Sequence, residues 1–471
     1  MMYNDDKLHE ECGVFGIYAN SGGVDVGGLT YLALYALQHR GQESAGIAVN
    51  GPDGIQVEKG MGLVGDVFTD KVLEKLGGNI AIGHVRYSTA GGSNVVNAQP
   101  IYGKFKQGEI AVAHNGTLTN VGVLKEMFED LGFTFETSSD SEIMIKMIAR
   151  AANRKGIERA VLEMTQTIKG SYALAIMVDN KLIGIRDPNA IRPLCLGKYD
   201  GGYLLASESC AFDSLGIGAE FVRDLEPGEI VVIDENGVKS INHNEQTFPQ
   251  PCAFEYIYFA RPDSVIDRIS VHDSRIRAGE ILWKESPVEA DVVAGIPDSG
   301  MDAALGFAKI SGIPYDIGLI KNKYVGRSFI LPSQEAREQA VRIKLNALSS
   351  VIRGKRVVLV DDSIVRGTTS KKLIQMIRDT GATEVHLRIS SPVVQFPCYF
   401  GIDTPYRDQL MGAQLTITQM RDEIGADSLA FLSIDGLLEA LDPERQFCLG
   451  CLHGKYPISV QMEEENHVQH V

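Results

Sequence analysis

No apolar run in this 471-residue sequence reaches the ~18 residues that a membrane-spanning helix needs. The first eleven residues also lack an apolar core. They carry Asp5, Asp6, Glu10 and Glu11, which excludes a secretory signal. Both absences predict a cytosolic protein. Positive charge is short as well: 45 lysines and arginines face 61 aspartates and glutamates, a formal net charge of −16. Such a chain repels nucleic acid and anionic lipid, so a phosphate-bearing substrate must be held by a local site. Repeats, low-complexity segments and a helix-turn-helix segment are all missing. In a cytosolic chain of this size, seven cysteines point to thiol chemistry or metal ligation rather than disulfides.

A hydrophobic content of 44% and 49 glycines suit a globular α/β protein rich in turns. The length exceeds one ordinary core, so two domains are expected. In the first half, Cys12–Tyr18, Ile80–Val85 and Ile110–Ala113 read as strands. Tyr31–His39 has leucines at helical spacing, and Ser141–Arg150 reads as a helix with Ser139 or Asp140 near its cap. Turn signals between Glu226 and Pro251 mark the boundary, giving domains 12–240 and 241–471. The second half alternates strand and helix, with strands at Val292–Ile296 and Arg356–Val360 and helices after Gly300 and over Thr369–Asp379. That is the βαβ pattern of a parallel sheet. Phe254–Ala260 reads as an aromatic strand.

A thiol is a poor nucleophile until it is deprotonated. A free α-amino group, with an unperturbed pKa of about 7.7–8.0, can serve as the base. For Cys12 this requires it to be residue one of the mature chain, with residues 1–11 a propeptide. Alone, Cys12 is as well explained as a small buried strand residue. Three polar segments at element ends supply what a glutamine site needs. Arg86 can grip an α-carboxylate in a fork. Asp140 can receive the α-ammonium, and Asn115 with the Gly116 amide can form an oxyanion hole. Singly these residues also read as a surface ion pair, a helix cap and a turn. Together CGVFGIY, LQHRGQESAG, GHVRYSTAG, AHNGTLTN and SSDSE resemble the N-terminal-nucleophile (class II) glutamine amidotransferases over residues 12 to 240. The resemblance implies a four-layer αββα fold, Cys12 as nucleophile with its own amino group as base, Arg86 and Asp140 as glutamine clamps, and Asn115 with Gly116 as oxyanion hole.

In VVLVDDSIVRGTT, residues 357–369, an apolar strand runs into paired acids, a small-residue turn and a helix. Backbone N–H groups at such a helix start cradle phosphate. Asp361 and Asp362 can accept hydrogen bonds from two ribose hydroxyls. The segment resembles the phosphoribosyl pyrophosphate (PRPP) motif of type I phosphoribosyltransferases. That likeness gives the 5′-phosphate to Ser363, Val365, Arg366, Gly367, Thr368 and Thr369, and places Ser299 of GIPDSG with Asp361 and Asp362 at a pyrophosphate–Mg²⁺ site. Lys321, Lys323, Arg327, Arg337, Arg342 and Lys344 form a basic island, either a solvated face or a loop that closes over PRPP.

Cys448 and Cys451 form a C-x-x-C, while Cys252 and Cys398 each follow a proline. Four thiolates can hold zinc or an iron–sulfur cluster, and spacing does not decide between them. Cys195 and Cys210 match no ligand context. Over essentially the whole chain the order of motifs resembles the amidophosphoribosyltransferases, in particular the Gram-positive and animal type. That type implies a propeptide and a [4Fe-4S] cluster on Cys252, Cys398, Cys448 and Cys451. It further implies ammonia transfer from glutamine to PRPP, a homo-oligomer (dimer or tetramer) and feedback inhibition by purine nucleotides. The rival readings are another class II amidotransferase, making glucosamine 6-phosphate or asparagine, and a PRPP-binding regulator without catalysis. The motif at 357–369 argues against the first, and the intact glutaminase set against the second.

Overall fold

Apolar strands that alternate small and bulky residues build two antiparallel sheets in the first half of the computed structural model, which describes residues 12–20, 23–87, 94–106, 108–242, 247–322, 345–404 and 406–460. Residues 1–11, most of the basic island (323–344) and the tail from 461 lie outside that set. One sheet has seven strands, with Gly13–Ala19 at its centre between Gly202–Ala206 and Ile80–Arg86. The other has six, with Gly108–Leu118 paired to Gly170–Val178. Val14, Ala48, Ala111, Ala175 and Leu205 fill the space between the sheets. Outside the first sheet Leu34 and Phe212 bury the helix Val26–Ala36. Outside the second, Ile145, Val161 and Ile176 bury the helices Ser141–Lys155 and Ile157–Thr167. The order of layers is αββα.

Strands at Glu229–Asp234 and Gly237–Asn242 complete the six-stranded sheet. The last strand of that sheet reaches Asn242. The helix expected at Tyr31–His39 starts earlier, at Val26, because the Asp25 side chain caps it by accepting from the Gly28 amide at 2.8 Å.

The second half carries a parallel sheet in the order Val292–Gly295, Arg356–Asp361, Glu384–Ile389, Ser428–Phe431. Val358 and Val360 face one core with Phe307 and Leu282, whereas Val357 and Leu359 face another with Leu373 and Ile377. A strand buried on both faces reads as one apolar run, and this one ends at Asp361. Phe254–Ala260 is not a strand. Residues Glu255–Phe259 form one π-helical turn in which Glu255, Tyr256, Ile257 and Phe259 are all buried. A strand would send Glu255 and Ile257 to one face and Tyr256 to the other. The turn instead aims Glu255 at Arg40 of the first half, 2.7 Å away.

Candidate active sites

Cys12 stands half-buried just ahead of the central strand, its Sγ 3.9 Å from the Tyr87 carbonyl. Burial pushes its thiol up to about 11. Arg86 pulls it down, while Asp140 and Glu43 push it further up. These three groups therefore lie in the electrostatic field of the thiol. At pH 7 about one thiol in 10⁴ is ionised, so Cys12 needs a base. Arg86 ends the strand Ile80–Arg86, is buried, and has Glu43 3.7 Å from its guanidinium.

His84 lies opposite Val14 in register. Its Nε2 donates across the sandwich to the His114 carbonyl at 2.9 Å. Burial drives the His84 imidazole down to about 3, with Arg86 adding to the effect, so it is neutral. This tie brings Asn115 and Gly116 to the same end of the sandwich as Cys12. Asn115 is 1% exposed, and among the described residues neither its Oδ1 nor its Nδ2 has a hydrogen-bond partner. A buried amide left unpaired costs about 1–3 kcal/mol, which is the signature of a group awaiting a ligand. Gly116 has φ +139°, and a Cβ there would sit 2.1 Å from the Ser171 carbonyl oxygen, so only glycine fits.

Asp140 occupies the N-cap position of Ser141–Lys155, as one reading expected, but its side chain makes no cap hydrogen bond. It accepts instead from the Leu118 amide at 3.0 Å and faces His114 Nδ1 at 3.3 Å. Burial works against its charge, yet His114 and the Leu118 amide hold its pKa below the usual range. A half-buried anion turned inward suits an ammonium group.

In the second half Asp361, Asp362 and Ser363 are buried at the strand end. The Asp362 amide donates to Asp361 Oδ1 at 3.0 Å, and Ser363 Oγ donates to Asp362 Oδ2 at 2.5 Å. Ser299 Oγ bonds Asp362 Oδ1. Gly300 makes this approach possible, since a Cβ there would meet the Val360 carbonyl at 2.3 Å. Hard oxygen donors are thus gathered as Mg²⁺ prefers. Gly367, with φ +80°, opens the helix Thr368–Asp379. Thr368 and Thr369 begin that helix, and Arg366 reaches Gln409 at 3.2 Å. Val365 buries its side chain, so only its backbone is available to a phosphate. Of the basic island, Lys321 is described and pairs with Asp298.

A glutamine amidotransferase domain model matches residues 84–214. The chain is 50% identical to an amidophosphoribosyltransferase of Archaeoglobus fulgidus, covering 96% of this chain and 99% of the relative. It is 47% identical to that of Bacillus subtilis, covering 97% and 96%. The chain belongs to the amidophosphoribosyltransferase family. Among solved structures, glutamine PRPP amidotransferase from Bacillus subtilis, complexed with ADP and GMP, aligns with a TM-score of 0.89 at 45% identity, over 96% of this chain and 98% of that one. Amidophosphoribosyltransferases this similar also come from Synechocystis and Arabidopsis thaliana, at 48% and 46% identity. The likeness therefore does not single out the Gram-positive and animal type.

For an amidophosphoribosyltransferase, the cysteines sit at a telling place, the junction of the two halves. Cys252 N donates to the Ile191 carbonyl of the first half at 3.2 Å, and Cys448 N donates to Pro251 at 2.9 Å. The amides of Gln395 and Phe396 donate to the Cys451 carbonyl. Burial raises the Cys252, Cys448 and Cys451 thiols, Cys448 to about 12, and the neighbouring thiols of the group, Cys398 among them, add to the rise. Cys252, Cys448 and Cys451 lie in one apolar core, with Cys398 packed against it. Among the described residues no His, Cys, Asp or Glu group has closed to metal-holding geometry. An all-sulfur donor set whose thiolates need a counter-charge fits a cluster or zinc. Cys195 and Cys210 are buried elsewhere, in the core of the seven-stranded sheet.

Sequence reasoning missed Glu43, Arg40 and Glu208. Arg40 donates Nε to the Cys12 carbonyl at 3.2 Å. Glu208 takes bonds from His39, Arg40, Ser264 and the Arg261 amide. Arg40 and Glu43 lie inside the LQHRGQESAG stretch, but their roles depend on partners remote in sequence.

Proposed function

We propose that this chain catalyses glutamine + PRPP + water → 5-phosphoribosylamine + pyrophosphate + glutamate, the first step of purine synthesis, through the residues described above. Arg86 grips the glutamine carboxylate and Asp140 its ammonium. The Cys12 thiol gives its proton to the chain's own α-amino group, freed by removal of residues 1–11, and attacks the side-chain amide carbon. Asn115 Nδ2 and the Gly116 N–H hold the oxyanion as it forms. Collapse expels ammonia and leaves a thioester, which water hydrolyses to glutamate. Ammonia travels inside the protein, because in water at neutral pH most of it would be protonated and unreactive. It attacks C1 of PRPP, whose ribose hydroxyls bond Asp361 and Asp362 and whose 5′-phosphate lies on the turn from Ser363 to Thr369. Ser299, Asp361 and Asp362 would face Mg²⁺, which supplies charge neutralisation to the leaving pyrophosphate.

Cys252, Cys398, Cys448 and Cys451 would hold a [4Fe-4S] cluster, which supplies a cross-link between the halves rather than redox chemistry. We assign the protein to the cytoplasm. We also propose that it works as a dimer or tetramer and is inhibited by purine nucleotides, one of them in the PRPP site. The observation that carries the reading is the buried, unpartnered Asn115 amide beside Gly116. The test is glutaminase turnover with and without PRPP on protein of known intact mass and N-terminus. Turnover that PRPP stimulates, in chains starting at Cys12, is expected. No turnover would favour a PRPP-binding regulator. Active chains that retain residues 1–11 would sink the amino-group base.

A further inference from the structure

A buried polar circuit runs from the nucleophile to the cysteine group. Arg40, which holds the Cys12 carbonyl, donates Nη2 to both Glu255 oxygens, at 2.7 and 2.9 Å. Glu255 Oε1 also receives Arg192 Nη1 at 3.4 Å. Arg192 turns its Nε to the Phe400 carbonyl at 3.0 Å, and its Nη2 bonds the same oxygen. Ser171 Oγ donates to that carbonyl too, at 2.7 Å, and accepts the Thr117 amide at 3.3 Å. On the far side the Phe400 N–H points at Cys398 Sγ, 3.3 Å away. Arg40, Glu255, Arg192 and Ser171 are each at most 1% exposed, so none of these bonds can be exchanged for water.

The circuit closes on Gly116. That residue is wedged between the Ser171 carbonyl of its own sheet and Gly401 of the other half. A Cβ on Gly116 would lie 2.1 Å from the first, and a Cβ on Gly401 would lie 3.2 Å from the Gly116 Cα. An oxyanion donor works only if its N–H is aimed before the charge develops. The Gly116 peptide is aimed by what presses on it, and the Phe400–Gly401 segment presses only while its carbonyl is held.

We propose that Ser171 and Arg192 are positioning residues for the oxyanion hole, acting through the Phe400 carbonyl, so that glutamine chemistry depends on the seating of the 398–401 loop of the phosphoribosyl half. Burial of two opposite charges in one network makes a half-satisfied circuit worse than none. Lysine at 192 keeps a charge for Glu255 but cannot place two parallel N–H groups on one carbonyl. The inference rests on the reading of Asn115 and Gly116 as oxyanion donors, and its test separates the two.

Ser171→Ala, Arg192→Lys, their double variant and Asn115→Ala are made in the full chain. Glutamine hydrolysis is measured as kcat and KM, alongside the rate at which iodoacetamide alkylates Cys12. Losing one oxyanion donor outright costs 10²–10³ in kcat; mis-aiming it costs less. The expected result is kcat down about 10- to 100-fold in Ser171→Ala and Arg192→Lys, with KM within about twofold and alkylation unchanged. The double variant should fall no further than a few-fold below the worse single one, since both act on one carbonyl. Should Arg192→Lys fail to fold, Ser171→Ala decides. Unchanged kcat, or a loss confined to KM, overturns the inference. If Asn115→Ala loses kcat while the other two keep it, the relay alone has failed. If Asn115→Ala keeps it as well, the oxyanion reading has failed with it.

Discussion

The surroundings of Cys12 work against the nucleophilic role proposed for it. Burial pushes its thiol up to about 11; Arg86 and the Tyr87 carbonyl relieve part of that rise, and Asp140 and Glu43 work against the relief. In the proposed mechanism Asp140 cannot be dispensed with, because it receives the substrate ammonium. The conflict is resolved if the proton leaves to a group that is itself half-neutral near pH 8. Alkylation of Cys12 by iodoacetamide should therefore distinguish two forms of the protein. With residues 1–11 attached, the rate should climb about tenfold per pH unit toward 11. With Cys12 at the N-terminus, it should bend over near the α-amino pKa of about 7.7–8.0. Identical pH profiles for the two forms would remove the amino group from the mechanism.

At the scale of elements, the turn proposed to cradle phosphate makes a demand that only glycine meets cheaply. Gly367 has φ +80°, and a Cβ there would approach Met411 Sδ to 2.4 Å. Alanine in a left-handed conformation costs about 1–2 kcal/mol, and the turn would relieve that cost by moving the amides it offers. Gly367→Ala should raise KM for PRPP about tenfold or more while leaving unstimulated glutaminase turnover near its parent value; an unchanged KM would mean that the turn is not the phosphate cradle. This turn was legible in sequence because strand, acids, small residues and helix follow one another locally. The strands of the first half were legible as apolar runs, but their αββα layering came only from the resemblance of their motifs to the class II amidotransferases. Glu255–Phe259 was not legible, because aromatic and β-branched residues favour strands locally and the reason for a π-turn is Arg40, more than two hundred residues away. The start of Val26–Ala36 was hidden by Gly27 and Gly28, poor helix formers. Gly27 is there because a side chain would strike the Leu76 carbonyl at 2.5 Å. Asp140 at the cap of Ser141–Lys155 was visible, but not that its carboxylate faces inward.

Across the whole molecule, buried acids and a buried imidazole set opposite limbs of stability against pH. His84, held down to about 3 from an ordinary 6.5, contributes stability that is present above pH 6.5 and lost as pH falls toward 3. Asp187 and Asp224 work the other way. Burial raises Asp187 to about 6, although it accepts the Ile191 and Arg192 amides. Asp224 rises to about 7 through burial and the neighbouring Asp267 charge. Asp267 stays ionised because Arg186 grips it in a fork at 2.7 and 2.8 Å, an ion pair that joins the first half to the hairpin Val265–Ser270 of the second. A carboxyl whose folded pKa exceeds its unfolded value of about 3.9 favours the fold fully below that pH and loses the benefit as pH rises through the folded value. Asparagine at 224 keeps an acceptor for the hairpin amides and never ionises. Asp224→Asn should thus raise the melting temperature above that of the parent by an amount that grows from pH 4 to pH 7 and then levels off. Each kcal/mol of difference should appear as about 2–4 °C. An advantage that stayed constant across that range would show that Asp224 is ionised in the fold at every pH tested, and the junction between the halves would then carry two neighbouring negative charges on the single guanidinium of Arg186.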